Sequence, residues 1–311
     1  MNSAIDFITS GYVINVINMI CLYLLLTQSL NIIFGLGRLL NLALISTYAI
    51  GAYTTAILAV NYNFTVIQTL PFSMLFGAIY AIIIALISLK LKDDDFIIAS
   101  LAFASLTISI LMNWNDLTRG VLGISDIPSI EIFGNKLSSS KIFLPYIFTF
   151  TILTLFFINI FFKSKYARAL IAISEHPQAS SSIGINNLKI KFIGLVFASI
   201  LSALAGSIYA SYYSYIDPFS FSLAEIIFIL SIVIIGKPGS FWGVILATIF
   251  MAVLPESIRF LKIPQIIDGS MLFVEIPSSY LGHSRKLINA FVLLTVLYFN
   301  RTKIFPLTRK I

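Results

Sequence analysis

Nine apolar runs, each near the length of a membrane crossing and joined by short polar connections, constrain this 311-residue chain more than any other feature. They fall at 12–34, 40–60, 66–89, 96–113, 142–162, 191–213, 222–236, 240–260 and 287–300. A helix that crosses the hydrocarbon core takes about 20 residues, so such runs fill most of the chain; those at 222–236 and 287–300 are short for the task. Composition agrees: 59% of residues are hydrophobic and 11% charged, against about 25% charged in soluble proteins. A soluble globular enzyme and a disordered chain are both excluded. The expected fold is an all-α polytopic transmembrane helix bundle of about 8–10 spans, with residues 1–311 forming a single transmembrane domain.

What the chain lacks narrows its chemistry. Its longest polar stretch, 114–141, is too short for a catalytic domain. A phosphate-binding P-loop needs Gly, four residues, then Gly-Lys-Ser/Thr. The one Gly-Lys pair, Gly236-Lys237, is followed by Pro238 and has Ser231 five residues before it. Hydrolysis of ATP by that route is excluded, and fuel-burning machinery belongs on another chain. No catalytic set, metal cluster or cofactor motif is visible. Cys21 lies alone in an apolar run and reads as a small core residue. His176 reads as a solvated surface residue. The net charge of +7 is spread through short loops, which points to cytoplasmic loops of a membrane protein and not to nucleic acid.

The first apolar run has no Lys or Arg before it and is longer than a signal-peptide core, so it is expected to be a retained span. Cytoplasmic loops carry an excess of Lys and Arg. Placing the 163–190 loop inside and alternating outwards puts thirteen of the twenty Lys and Arg inside and seven outside. The expected orientation is N-terminus out and C-terminus in.

Two runs are built for close packing. In 191–213, Ala198, Ser202, Gly206 and Ala210 stack four apart as one small-residue rail, with Ser199, Ala203, Ser207 and Ser211 as its neighbour. Lipid provides no hydrophobic drive for helix pairing, so membrane helices associate where small side chains let backbones approach. This face is expected to be buried against another helix, either as plain bundle packing or as a surface that also slides during transport. The second run carries Ala43, Ser46, Thr47, Gly51, Ala52, Thr54, Thr55 and Ala56. It reads as a packing helix, with a polar path lining as the alternative. The middles of the runs carry no ionisable residue, whereas ion-coupled carriers keep such groups as relays. Glu225 lies near a run end, and Glu256 with Arg259 reads as an interfacial ion pair.

The loop 163–190 is the strongest functional signal. Lys163, Lys165 and Arg168 open it, and Ala172, Ile173, Glu175 and Ala179 suit a short amphipathic helix. Pro177 breaks or kinks that helix. Gly184 offers a chain reversal before Lys189 and Lys191 re-enter the membrane. A short rigid element between two spans can pass a partner's motion into helices; a solvated connector is the alternative.

These residues resemble a known family, the permease subunits of branched-chain amino-acid ABC importers, in its LivM-like branch. The first stretch of likeness is Ser164-Lys165-Tyr166-Ala167-Arg168-Ala169-Leu170, Ala172-Ile173-Ser174-Glu175, Ala179, Gly184-Ile185-Asn186 and Lys191-Phe192. It closes on Ser202-Ala203-Leu204-Ala205-Gly206-Ser207. Asn31, Gly35 and Gly51-Ala52-Tyr53-Thr54 form a second stretch. Leu101-Ala102-Phe103-Ala104, Asn113-Trp114, Leu117-Thr118, Gly120, Gly123-Ile124 and Ile127-Pro128 form a third. Gly236, Gly239-Ser240, Trp242-Gly243 and Leu254-Pro255-Glu256 form a fourth. The likeness covers roughly residues 30–260 in family order. The chain departs from the family pattern at Arg38, Ala43 and Lys237, where Gly is common, at Leu44 (His) and at Ser174 (Arg).

The resemblance implies the transmembrane half of an ATP-driven importer in a bacterial inner membrane. It implies cytoplasmic ATPase subunits, a second permease chain as heterodimer partner, an extracytoplasmic solute-binding protein and no cofactor. It assigns coupling to the ATPase to Ala172, Glu175, Ala179 and Gly184, transmission to the helix of Ala198, Ser202, Gly206 and Ala210, and part of the binding-protein contact to loop 114–141. Branched-chain amino acids are the implied cargo, with urea and short amides as the alternative. An ion-coupled secondary transporter and a non-transporting scaffold are the rival classes.

Overall fold

In the computed structural model of the chain, the described residues are 11–129, 131–132, 135–136, 140–258, 262–267, 270–275, 291, 294–295 and 298. Helix α1 (Gly11–Leu30) runs on into a π-helical turn, Asn31–Leu36. After it come α2 (Leu44–Tyr62), α3 (Val66–Ser88), α4 (Asp93–Asn113) and the single turn α5 (Asn115–Thr118). Then follow α6 (Ser140–Lys163), α7 (Lys165–Glu175), α8 (Pro177–Ser182) and α9 (Asn187–Tyr213). The last helices are α10 (Leu223–Ile235) and α11 (Phe241–Ile258).

Among the described residues, six helices are long and apolar enough to cross a membrane: α1 with its π turn, α2, α3, α4, α6 and α9. α10 and the described part of α11 are shorter apolar helices. Eight of the nine apolar runs are thus helical, and the 287–300 run lies largely outside the described residues, as do Arg259 and the side chain of Glu256. The helix of the 191–213 run begins four residues earlier, at Asn187, because Asn186 caps α9 there with its side chain accepting from the Lys189 N–H at 3.0 Å.

α1, α2 and α9 form the centre of the bundle. Their apolar windows are 72%, 67% and 67% buried, against 28% for each of α3, α4 and α6. The reason is side-chain size. α9 packs against α2 and α3 through residues too small to hold the backbones apart. A Cβ on Gly206 would run into the Tyr48 carbonyl, one on Gly51 into the Ala203 carbonyl, and one on Gly77 into the Ala203 methyl. Hydroxyls tie the same seam: Ser202 donates to the Leu44 carbonyl at 3.0 Å, and Thr55 to Ser207 at 2.6 Å. The outward faces of α3 and α6 carry large apolar side chains, such as Leu75, Leu86, Phe156 and Phe157, left for lipid or a partner chain.

Short strands decorate the connections: β1 (Ile124–Ser125), β2 (Glu131–Ile132) with β3 (Asn135–Lys136), β4 (Tyr215–Ile216), and β5 (Lys262–Ile267) with β6 (Ser270–Glu275). β1 pairs antiparallel with β4, Ile124 opposite Ile216. Through Ile124 and Ser125 the 114–141 segment is therefore pinned to the end of α9 farthest from α7. Before α10, Pro218–Phe221 forms a 3₁₀ turn with Pro218 and Phe221 buried and Phe219 exposed, Asp217 capping it by accepting from the Ser220 N–H at 2.7 Å.

Candidate coupling site

Ser164 opens α7 as a cap, its side chain accepting from the Ala167 N–H. Ala167, Leu170 and Ile173 then fall three apart and are buried, while Lys165, Arg168, Ile171 and Glu175 are exposed. That is the amphipathic pattern a helix needs to lie on a bundle with one face open to a partner. The break comes at His176 (φ −139°), so Pro177 stands at the first position of a second helix, α8. There its missing N–H costs nothing. Gly184 (φ +84°) then reverses the chain. Asn187, at the start of α9, donates from its side-chain amide to the Pro177 carbonyl at 2.9 Å and to Ser181 Oγ at 3.0 Å. The loop is thus a helical hairpin, tied at its far end to the helix that follows.

The four residues assigned to ATPase coupling all lie on this hairpin. Ala172 is half-buried, and Glu175, Ala179 and Gly184 are exposed. Ile183, 77% exposed beside Gly184, gives the tip an apolar point. The opposite face reaches into the bundle through Leu170, which is 1% exposed. A Cβ on Gly194 of α9 would stand 2.9 Å from its Cδ1, and one on Gly37, just after the π turn, 3.5 Å from its Cδ2. One side chain therefore engages two transmembrane elements, the second of them continuous with α1.

From the π turn the contact continues. Asn31 accepts from the Gly239 N–H at 2.8 Å and donates to the Ser240 carbonyl at 3.3 Å, while Gln28 donates to the Phe241 carbonyl at 2.9 Å. Gly35 and Gly239 approach so closely that a side chain on Gly35 would strike the Gly239 nitrogen. The start of α11 is thereby latched to the end of α1, and Thr27 hydrogen-bonds Thr248 at 2.9 Å farther along. Sequence reasoning missed Leu170, Gln28 and the latch function of Asn31. Two amides at the end of a 26-residue apolar helix were the available signal, since a buried amide in lipid needs a partner.

The packing residues Ala198, Ser202, Gly206 and Ala210 are buried, as are Ser199, Ala203, Ser207 and Ser211 of the adjoining rail. On α2, Ala43, Ser46, Thr47, Gly51, Ala52, Thr55 and Ala56 are buried and Thr54 half-buried. Two departures from the family pattern have a visible consequence. Arg38 (φ 51°) and Lys237 (φ 66°) both occupy left-handed backbone, where a side chain costs roughly 1–2 kcal/mol and Gly nothing.

Comparison with known proteins gives the same reading over most of the chain. Residues 12–298 match the family model for the branched-chain amino acid transport system permease component. The high-affinity branched-chain amino acid transport system permease protein LivM of Escherichia coli (strain K12) is 30% identical over 276 residues, which is 81% of this chain and 65% of that protein. The guanosine ABC transporter permease protein NupQ of Bacillus subtilis (strain 168) is 25% identical over 55% of this chain and 58% of its own length. A tyrosine transport system permease protein of Clostridioides difficile (strain R20291) is 26% identical over 55% of each. The chain thus spans less than two thirds of the length of these relatives. No solved structure gives a significant match. Polytopic and helical, with its family's motifs in order, the chain is a multi-pass membrane protein and belongs to the permease components of branched-chain amino acid transport systems.

Proposed function

We propose that this chain is a transmembrane permease subunit of an ATP-driven importer, with branched-chain amino acids as its cargo. The observation that carries the reading is the two-faced α7–α8 hairpin. Its outer face, with Glu175, Ala179 and Gly184, is free to dock on a cytoplasmic ATPase subunit, and Leu170 on its inner face is locked to α9 and to the end of α1. A push on the hairpin would reach α9 through Gly194, and α11 through Gly37 and the Asn31 latch. Hydrolysis of ATP belongs to the partner subunits.

Further parts of the assembly follow from the same reading. The hairpin end faces the cytoplasm of a bacterial inner-membrane protein, with the N-terminus out and the C-terminus in. The β1–β4 end receives an extracytoplasmic solute-binding protein. A second permease chain covers part of the apolar surface of α3, α4 or α6.

Co-expression with the neighbouring transport genes, followed by purification in gentle detergent, is the test. An ATPase subunit should co-purify, and its consistent absence would remove the reading. Proteoliposomes of the complex should take up labelled leucine when given ATP. Two relatives carry the names of guanosine and nucleoside permeases, so guanosine is the competing cargo to assay alongside; uptake of guanosine in place of leucine would change the substrate and leave the coupling scheme intact.

A further inference from the structure

A cavity of about 280 Å³ lies between α1, α2, α9, α10 and the 3₁₀ turn. Ligand pockets run from roughly 300 to 1,000 Å³, so this one suits a single small solute. Its lining is unusual for a membrane bundle. Tyr23, Tyr48, Tyr209 and Tyr213 converge on it from three helices, and Glu225 enters from the first turn of α10. Tyr23 and Glu225 line it together. Met19, Leu22 and Leu26 form an apolar wall along α1. Among the described residues the lining holds one carboxylate and no Lys, Arg or His.

The rings are held firmly. Tyr48 and Tyr209 lie 5.5 Å apart between centroids, Tyr209 and Tyr213 4.7 Å apart, and Phe221 of the 3₁₀ turn backs both Tyr48 and Tyr209. Exposure grades along the cavity from Tyr213 at 41% to Tyr48 at 4% and Leu26 at 2%.

A carboxylate inside a membrane bundle is costly unless something compensates it, and such residues mark solute pathways. Here the described lining residues supply tyrosine rings and no cation. A solute ammonium group fits: Glu225 would neutralise it, and aromatic faces attract cations when water is thinned out. The wall of α1 would take an apolar side chain. We infer that this cavity is a solute-binding station on the transport path, in which Glu225 and the tyrosines receive the ammonium group of a small apolar amino acid. The inference rests on the importer reading for its cargo, and on the cavity alone for its preference for amines.

The test separates the two. The full chain, co-assembled with its transporter subunits in lipid nanodiscs, is probed by thermal shift with isopentylamine and with isovalerate, which share a branched tail and differ in charge. The amine should raise the melting temperature of the wild type and isovalerate should not. Glu225→Gln should abolish the shift, and Glu225→Asp should restore part of it. Met19→Trp fills the apolar wall without touching the carboxylate and should abolish the shift as well. In proteoliposomes Glu225→Gln should raise the leucine KM at least tenfold. Equal shifts from amine and acid, or an amine shift that survives Glu225→Gln or Met19→Trp, would overturn the inference. A wild type that shows the amine shift yet carries no leucine would keep the amine site and refute the branched-chain cargo.

Discussion

At the scale of single residues, glycine divides into two kinds in this protein, and substitutions should tell them apart. Gly206 sits where any Cβ would strike the Tyr48 carbonyl, so the cost is steric and falls on backbone that cannot rotate away. Gly206→Leu should destabilise by at least the ~1–3 kcal/mol typical of overpacking, seen as a lower melting temperature and loss of assembled complex. A variant that assembles and transports normally would mean that α9 and α2 are not in close contact. Gly184 faces open space, and its φ of +84° is the only constraint. Gly184→Ala should cost about 1–2 kcal/mol without disturbing the bundle. Lys237→Gly should be close to neutral in the same melting assay, because relief at φ 66° is offset by about 0.4–1 kcal/mol of added unfolded-chain entropy. Asn31→Leu should cost more, since it leaves the Gly239 N–H without its side-chain partner, at about 1–3 kcal/mol for a group left unsatisfied, while the Ser240 carbonyl keeps its bond from the Val244 N–H.

At the scale of elements, the α7–α8 hairpin offers two separable ways to fail. Glu175 is on the open face, and Glu175→Lys should weaken ATPase docking while membrane insertion stays normal; full co-purification and uptake would remove Glu175 from the contact. Leu170 is on the locked face. Leu170→Ala leaves a void between α7, Gly194 and Gly37, at a cost of about 2–5 kcal/mol. The ATPase should still co-purify with that variant and hydrolyse ATP, but leucine uptake per ATP should drop severalfold. Reduced docking with unchanged stoichiometry would instead place Leu170 in the subunit interface. The hairpin's position was legible in the sequence from the basic residues that open it, Lys163, Lys165 and Arg168, and from the local backbone signals of Pro177 and Gly184. Its inner contacts were not, because Gly194 and Gly37 lie 24 and 133 residues from Leu170 and no local pattern pairs them.

At the scale of the whole molecule, two ends can be distinguished. One gathers the hairpin, Gly37, Gly194 and the Gly35–Gly239 crossing; the other holds the β1–β4 pair and the exposed Leu122. Cys21 is buried and is the chain's single cysteine, so Cys21→Ser gives a clean background for labelling. In intact cells a membrane-impermeant maleimide should label Leu122→Cys and spare Glu175→Cys; inverted vesicles should reverse the pattern. Labelling of both from one side would refute the proposed orientation.

Taken alone, the sequence determined that this is a helical membrane protein, where its helices run, and which loop stands out, because length, apolar content, charge and turn residues act within a few positions along the chain. It also marked α9 as a packing helix, since small residues four apart share a face whatever they meet. Only the tertiary structure decided what that face meets, that Asn31 reaches Gly239, and that Glu225 and four tyrosines from separate helices enclose one cavity. Those contacts join residues far apart in the chain, and their energies depend on distances that exist only once the helices have packed.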